Sequence, residues 1–458
     1  MKIVEQITKH IIPFSYETDF ANFISRFKDD KNCTINDDII LKHSKLNDYV
    51  AEKFQTDKNY LRRISLLPSK DSLLYSSYNE RRKTSYNIKG GKDKHHKFTI
   101  ENIDIFAFSM NIGFLVIDYS IPTKDLNEFI RTTYTLKQSK RKEFQEIQCK
   151  KQIGKNEYKQ FNENLKEFYE TIFVKYGLQD QGLLNNEFLH FNSVLVDECS
   201  DESEFKKKAA LVSKGFKQSY KITEKEIEEI VDSKFSNIFW GHSIEGVSCF
   251  ASLSEDESTN EFLKGNLFSE KGNLNKVYFL MYLMLLNQRY SVLTVNKYIE
   301  NKFINNELNN LDNYNEYLKE IKTRVANINI YHIYNNISYN SLYNSFYKNT
   351  ATALEISSLI EEYKTKIIAT EQIQTIMQIR QTEIAEERAL LRERKIKKYE
   401  IFGLIIAVIV FVPALVGIVS TILTDFGVTK ITWPLTFISL ILCTTFAIIY
   451  KYIVIGKE

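Results

Sequence analysis

The sequence predicts an α+β cytosolic domain followed by a helical bundle, a long stalk helix and a two-helix transmembrane hairpin. Three observations support this prediction. Two apolar runs near the end of the chain carry no charge, a long stretch before them has no Gly or Pro, and the first half contains β-rich runs between turns. We divide the 458 residues into a sensor domain (1–260), a helical region (261–350), a stalk (351–400) and the hairpin (401–458).

The hairpin is predicted from residues 401–423 and 431–450, which contain no Asp, Glu, Lys or Arg. An uncharged run of about twenty residues matches the thickness of a bilayer core. Only a helix satisfies its own backbone there, so each run is predicted to be a transmembrane helix. A buried hairpin inside a soluble protein is the alternative interpretation.

Flanking charges predict the orientation of the two spans. Few basic residues lie in the loop that connects the two spans. Several lie before the first span or after the second: Arg392, Arg394, Lys395, Lys397, Lys398, Lys451 and Lys457. The positive-inside rule therefore predicts a multi-pass protein of the inner (plasma) membrane with both termini in the cytoplasm.

Composition excludes several classes of function. The net charge of +3 gives no reason to expect direct binding of nucleic acid. The five cysteines form no CxxC pair, so no zinc site is expected. The chain has no P-loop, HExxH, GxSxG or dinucleotide-binding motif, and we expect no enzyme activity and no bound cofactor.

Local patterns predict the main cytosolic elements. Helical spacing favours helices at 20–28, 49–67, 126–134 and 224–232, and residues 98–121 favour two strands around Met110 and Asn111. The charged segment 139–170 favours a solvated helix or an extended loop, and 238–253 favours a second hairpin. Residues 277–295 are apolar almost all round, which favours a buried central helix.

The stalk carries an apolar stripe with the 3–4 spacing of a coiled coil, partly filled by polar residues: Ala353, Ile356, Ile360, Tyr363, Ile367, Thr370, Gln374, Met377, Gln381, Ile384, Arg388 and Leu391. A partly polar seam leading into a membrane span predicts helices gathered around an axis in a homo-oligomer. The alternative is a solvated helix packed on its own domain.

The whole plan resembles the CorA-like two-transmembrane family of divalent-cation channels, which are pentameric funnels whose first span lines the pore. The stretches FAFSMNIGFLVIDYSI, FWGHSIEGVSCF and YFLMYLMLLNQRYSVL are similar to a divergent branch found beside type III CRISPR systems. This resemblance implies a membrane effector of antiviral defence, opened by a nucleotide second messenger of the S-adenosylmethionine-AMP type to permeabilise the membrane.

The chain departs from the family at the outer end of the first span. The family's Gly-Met-Asn motif is absent, and residues 424–428 read TDFGV instead. Since that motif forms the ion-selective site of the family, its absence argues against a constitutive Mg²⁺ transporter. That transporter and a non-conducting membrane scaffold for a partner protein are the alternative functions.

Continuing the stalk stripe into the membrane predicts the residues that line the pore: Phe402, Ile405, Ile409, Val412, Val416, Val419 and Leu423, with Asp425 at the outer mouth. An apolar lining of this kind gates by excluding water. Pro413 has no backbone N–H and is a plausible bending point. Ordinary helix packing or lipid contact is the alternative for the stripe.

A nucleotide ligand needs cations for its phosphate and an aromatic face for its base. The candidates in the sensor domain are Arg62, Arg63, Arg81, Arg82, Arg131, Arg141 and Trp240. The sequence does not choose among them.

Three further patterns have a functional and an ordinary interpretation. The run Lys89-Gly90-Gly91-Lys92 suits a phosphate loop or a flexible loop, and His95-His96 suits a metal or a solvated surface. The acidic residues between Asp197 and Glu204 suit a divalent-ion sensor or a solvated loop.

Overall fold

The computed structural model describes residues 1–36, 45–54, 60–68, 74–75, 84–89, 95–138, 141, 146–152, 157–180, 188–304, 311–331, 333–334, 336–426, 434, 437–441, 444–445, 448 and 451. The chain forms two compact units. The first contains 1–308 and 316–368, and the second contains 309–315 and 369–458.

The helices begin and end as follows: α1 (Phe20–Lys28), α2 (Asp48–Ala51), α3 (Leu126–Lys137), α4 (Leu165–Tyr176), α5 (Glu202–Lys214), α6 (Glu224–Ile230), α7 (Glu257–Glu261), α8 (Phe279–Ile304), α9 (Leu311–Tyr331), α10 (Ser341–Ala353) and α11 (Ile356–Asp425). Short π-helical segments at Phe262–Leu267 and Leu274–Tyr278 precede α8.

The strands are β1 (Ile3–Ser15), β2 (Cys33–Asn36), β3 (Leu61–Leu66), β4 (Thr84–Lys89), β5 (His95–Phe108), β6 (Ile112–Ser120), β7 (Glu146–Gln152), β8 (Tyr158–Asn164), β9 (Gln179–Asp180), β10 (Leu189–Val196), β11 (Val231–Phe235), β12 (Ile238–His242) and β13 (Gly246–Ser252). They form one sheet in the order β11-β12-β13-β10-β1-β6-β5-β4-β7-β8. Strands β2 and β3 join it beside β5, and β9 joins beside β1.

The centre of the sheet is buried on both faces, because helices cover it from both sides. On one face α3 and α5 pack against β1, β5, β10, β12 and β13. On the other face α8 packs against β6, and α10 packs against α8 and β12. The buried residues of β1 alternate between these two cores, so that Ile12 belongs to the first and Ile11 to the second. The first unit is therefore an α/β sheet domain.

A smaller helical core lies beside the sheet in the first unit. Helices α8, α9 and the start of α11 contribute Val295, Tyr317 and Tyr363 to it, together with their apolar neighbours. The hydroxyl of Tyr363 donates to Asn329 Oδ1 at 2.8 Å. The first turns of α11 are thus fixed to the domain by a buried contact.

Helix α11 continues without a break from Ile356 to Asp425 and includes Pro413. Its most apolar window of 18 residues has a mean hydropathy of 3.0 and is not buried within the protein, which makes it long and apolar enough to cross a membrane. It is the one such helix among the described residues. Described positions of the second apolar run, including 437–441, are also helical.

Several predicted elements are confirmed, and others are wrong. Helix α1, the turn at Met110 and Asn111, and the buried helix α8 match the expectations. Segment 139–170 contains strands β7 and β8 and helix α4 instead of a solvated helix or loop. Its polar strands pair at the edge of the sheet, where one face is solvated and the apolar alternation is weak. Segment 49–67 ends in strand β3, because its apolar side chains pack beside β5.

Three histidines of the sheet domain are buried and held neutral. Burial is the largest cause, and it lowers the pKa of His10 to about 3 and the pKa of His242 to about 4, from an ordinary value of 6.5. Burial also lowers the pKa of His190 well below that value. Below pH 6.5 the unfolded chain takes up protons that the folded chain excludes, so acid destabilises the fold.

Acidification from pH 7.5 to pH 5.0 is therefore expected to lower the free energy of unfolding by about 2 kcal/mol for each of these histidines. Thermal unfolding of the detergent-solubilised protein in phosphate-free buffer measures the effect. His242→Gln should remove one histidine's contribution to the pH dependence of the free energy of unfolding. His95→Gln, at an exposed histidine, should leave this pH dependence unchanged. Equal acid sensitivity of both variants would contradict the assignment.

Candidate functional site

A pocket of about 390 Å³ lies where the end of α3 meets the turn after α5. Its described lining residues come from two segments that are distant in the chain: Tyr134, Gln138, Arg141, Gly215, Phe216, Lys217, Ser219 and Tyr220. The volume falls in the range of roughly 300–1,000 Å³ that is usual for small-molecule sites.

Gly215 ends helix α5 and directs the following residues into the pocket. It adopts the left-handed conformation with φ 60°, which a glycine takes at little cost. The backbone N–H of Phe216 donates to the carbonyl of Leu211 at 3.0 Å and closes the end of the helix. A Cβ on Gly215 would also clash with the side chain of Lys137 at the end of α3. The left-handed turn therefore favours glycine, and a side chain at this position would also displace that of Lys137.

Aromatic rings form part of the pocket wall. The rings of Phe216 and Tyr220 meet edge to face with their centroids 4.7 Å apart. Tyr134 lies across the pocket on α3, and Nζ of Lys217 lies 5.5 Å from the centroid of its ring. Flat rings beside cations suit a heteroaromatic base that carries a phosphate.

The pocket is electropositive. Arg141 and Lys217 are among its described lining residues, and no carboxylate is. Arg131 adds a third cation nearby, where its Nε donates to Gln218 Oε1 at 3.2 Å, and Gln218 in turn donates to Asn127 Oδ1 at 2.7 Å. This chain of hydrogen bonds ties the 215–220 turn to α3 on the outside of the pocket.

Other cavities of the sheet domain suit a nucleotide less well. Two of them are lined by Glu170 together with Glu17 and Asp180 or with Glu167, and these carboxylates would repel a phosphate. A third cavity beside Trp240 is aromatic, but its volume is about 110 Å³ and its cations Lys45 and Lys234 are accompanied by Asp232. The pocket at the 215–220 turn is therefore the candidate functional site.

The structure places one of the predicted ligand residues in the candidate site and a second one beside it. Arg141 lines the candidate site, and Arg131 lies outside the pocket, where it is hydrogen-bonded to Gln218. Arg62 and Arg63 lie on β3, where Arg62 is buried and Arg63 forms an ion pair of 2.8 Å with Asp104. Arg81 and Arg82 lie outside the described residues.

Trp240 lies in the core between β12 and the helices of the second face. Its side chain is 8% exposed and packs on Tyr278 and Phe346, with ring centroids 4.6 and 4.7 Å away. Its ring faces are therefore used by the protein itself.

The predicted pore-lining residues all lie in the apolar part of α11. Within this single chain Ile405, Val412, Val416 and Leu423 are half-buried. Phe402, Ile409 and Val419 are between 36% and 43% exposed. Asp425 is exposed and is the last residue of the helix.

The lysine-glycine run, the histidine pair and the acidic residues form ordinary secondary structure and helix caps wherever the structure describes them. His95 and His96 begin β5, and alternation along the strand leaves the first exposed and buries the second. Asp201 caps α5 by accepting from the N–H of Glu204, and Asp197 accepts from the N–H of Lys2. No group of three metal-ligating side chains occurs in the described parts of the chain. Residues 90–92 lie outside them.

Sequence reasoning missed Tyr134, Phe216, Lys217 and Tyr220. A local signal was present, because residues 214–221 alternate cations and aromatic rings directly after a glycine that ends a helix. Helix α3, which supplies the other wall, lies about eighty residues earlier in the chain.

The comparisons with known proteins returned no matching family model, no matching curated protein and no matching solved structure.

Replacing Arg141 or Lys217 by alanine is expected to weaken the binding of adenosine 5′-monophosphate about tenfold, because hydrogen bonds to charged groups contribute roughly 1.5–3 kcal/mol. Titration of the detergent-solubilised protein at low salt, followed by calorimetry, measures the change. Lys225→Ala is the matched control, since its side chain on α6 is 86% exposed and does not line the pocket. An equal loss in the control would mean that only the net charge matters.

Proposed function

We propose that this chain is a homo-oligomeric membrane effector whose cytosolic domain binds an adenine-containing nucleotide messenger and whose membrane-spanning helices form a gated pore. The messenger is of the S-adenosylmethionine-AMP type, and the setting is type III CRISPR antiviral defence. In this proposal 431–450 forms a second span, both termini are cytoplasmic, and the protein acts in the inner membrane without catalysis.

The observation that carries the proposal is the continuity of α11. One helix runs from buried contacts in the sheet domain at Ile356 and Tyr363 to an uncharged segment that is not buried within the protein. A segment of that apolarity is stable when lipid surrounds it. A structural change at the domain end of such a helix can therefore reach the membrane.

The candidate site supports the choice of ligand. It offers two cations and three aromatic rings in a pocket large enough for a nucleotide. A messenger held there would contact α3 and the end of α5.

A chain of contacts leads from the candidate site towards α11. Helix α5 packs on β12 and β13. His242 of β12 lies 2.9 Å, through Nδ1, from Thr350 Oγ1 on α10, and that hydroxyl donates to the carbonyl of Phe346. Helix α10 ends at Ala353, and α11 begins at Ile356 after Glu355, whose φ is 55°. A messenger that binds two arrangements of α5 with different affinity would shift the equilibrium between them.

The apolar part of α11 supports a gate that works by excluding water. A pore lined by Ile405, Val412 and Val416 offers no oxygen ligand to an ion and stays dry when narrow. Widening it by tilting the helix would admit water and ions together. Such a pore needs several copies of the chain, and residues 381–400 are exposed all round in a single copy.

Leakage of dye and ions from liposomes that contain the purified protein tests the proposal. Leakage is expected when the adenylate conjugate of S-adenosylmethionine is added, and Arg141→Ala should abolish it. Flux of Mg²⁺ without any messenger would replace the proposal with a transporter. If the protein binds the messenger but the liposomes do not leak, the protein would instead be a non-conducting scaffold.

Val416→Ser is expected to raise leakage in the absence of messenger roughly tenfold, because a hydroxyl wets the constriction and a barrier lower by about 1.4 kcal/mol gives that factor. The same liposome assay measures it. Leu415→Ser on the neighbouring, 45% exposed position is the matched control and should leave basal leakage low. If both variants leak equally, Val416 does not line the constriction.

A further inference from the structure

A second polar site lies inside the sheet domain, beneath the candidate pocket. Strands β1 and β10 are antiparallel neighbours, and Thr8 pairs with Asn192 while His10 pairs with His190. Directly opposite residues of such a pair have Cβ atoms about 4.5–5.5 Å apart, and alternate residues share a face. All four side chains are at most 3% exposed. Two successive cross-strand pairs on one face of the sheet are therefore polar.

Several polar atoms of these side chains have no hydrogen-bond partner within the described protein. In the part of the chain that the structure describes, no hydrogen-bond partner faces either ring nitrogen of His10, Nδ1 of His190, Oδ1 of Asn192 or Oγ1 of Thr8. Leaving a buried polar group unpaired is costly, and most such groups in folded proteins have a partner. Several unpaired groups in two cross-strand pairs on the same face indicate an occupant with matching groups.

The charge of the site selects an anion. Lys137 is 1% exposed, its Nζ donates to the carbonyl of Lys214 at 2.8 Å, and its side chain lies against Gly215 of the candidate pocket. After burial, its charge is the second cause that lowers the pKa of both His10 and His190. A metal cation would be repelled by the same charge, although two histidines face each other here.

The hydrogen-bonding pattern selects a protonated anion. Nε2 of His190 lies 2.7 Å from the carbonyl oxygen of Val212. Since a carbonyl can only accept, Nε2 carries the proton, and Nδ1 of the neutral ring is an acceptor. The amide oxygen of Asn192 is a second acceptor. His10 and Thr8 each supply a donor, and Lys137 supplies the positive charge.

We infer that His10, His190, Asn192, Thr8 and Lys137 form a binding site for a phosphate group that still carries a hydroxyl, either inorganic phosphate or a phosphomonoester. Its P–O–H would donate to Nδ1 of His190 or Oδ1 of Asn192, and its other oxygens would accept from His10, Thr8 and Lys137. A phosphodiester or sulfate lacks that donor and leaves the acceptors unpaired. The site is distinct from the pocket proposed for the messenger.

Equilibrium dialysis of the detergent-solubilised full chain against radiolabelled inorganic phosphate tests the inference. One phosphate per chain is expected, with sulfate competing roughly tenfold or more weakly because it cannot satisfy the buried acceptors. Equal competition by sulfate, or no retained phosphate, would overturn the inference and leave water as the occupant.

Variants connect the bound phosphate with these residues. Lys137→Met and His10→Gln should each abolish retention, whereas Lys208→Met, at a lysine of α5 that is 8% exposed, should retain it. Retention by both site variants, with folding verified by thermal unfolding, would overturn the inference. If the source is a nucleotide, adenosine 5′-monophosphate displaces the label, and if the source is free phosphate, it does not.

Failure of this inference is distinguishable from failure of the proposed function. Arg141→Ala should abolish messenger-dependent leakage and leave phosphate retention intact. If the messenger causes leakage but the protein retains no phosphate, the phosphate site is ruled out and the proposed function stands.

Discussion

The packing of the first turns of α11 against the sheet domain is the interaction on which the rest of this protein depends. Tyr363 is 1% exposed and its hydroxyl is hydrogen-bonded to Asn329, while Lys366 forms ion pairs of 2.7 and 2.6 Å with Glu300 and Glu362. The exposed ion pairs contribute little, so the buried contact dominates. The same helix continues into a segment suited to lipid, so this contact fixes the domain end of that helix.

The two faces of the central sheet differ in the side chains that they bury. The face covered by α3 and α5 carries polar side chains in its centre and a cationic pocket at its rim. The face covered by α8 and α10 is mostly aromatic and aliphatic, but it also buries Lys9, which forms an ion pair of 2.7 Å with Asp118. Tightly packed apolar cores resist gradual deformation and transmit small shifts.

Long-period patterns could be read from the sequence, but contacts between distant segments could not. The helix at 20–28, the buried α8 and the apolar run in α11 all have a clear period or an extreme composition. Strands β7 and β8 were missed because solvated edge strands lack the apolar alternation. Of the candidate site, Arg131 and Arg141 were named for their charge. Tyr134 and Phe216 could not be paired with them, because only the packing of α3 beside α5 joins these segments.

The order of the strands also sets a sequence of events during synthesis. Strand β1 lies at the centre of the sheet between β6 and β10, yet β10 begins only at Leu189. At about 5–20 residues per second, β1 waits roughly 10–40 s for that neighbour to leave the ribosome. The apolar segment of α11 emerges later still, after every strand of the sheet named here. The sheet domain can therefore finish folding before the apolar segment of α11 leaves the ribosome.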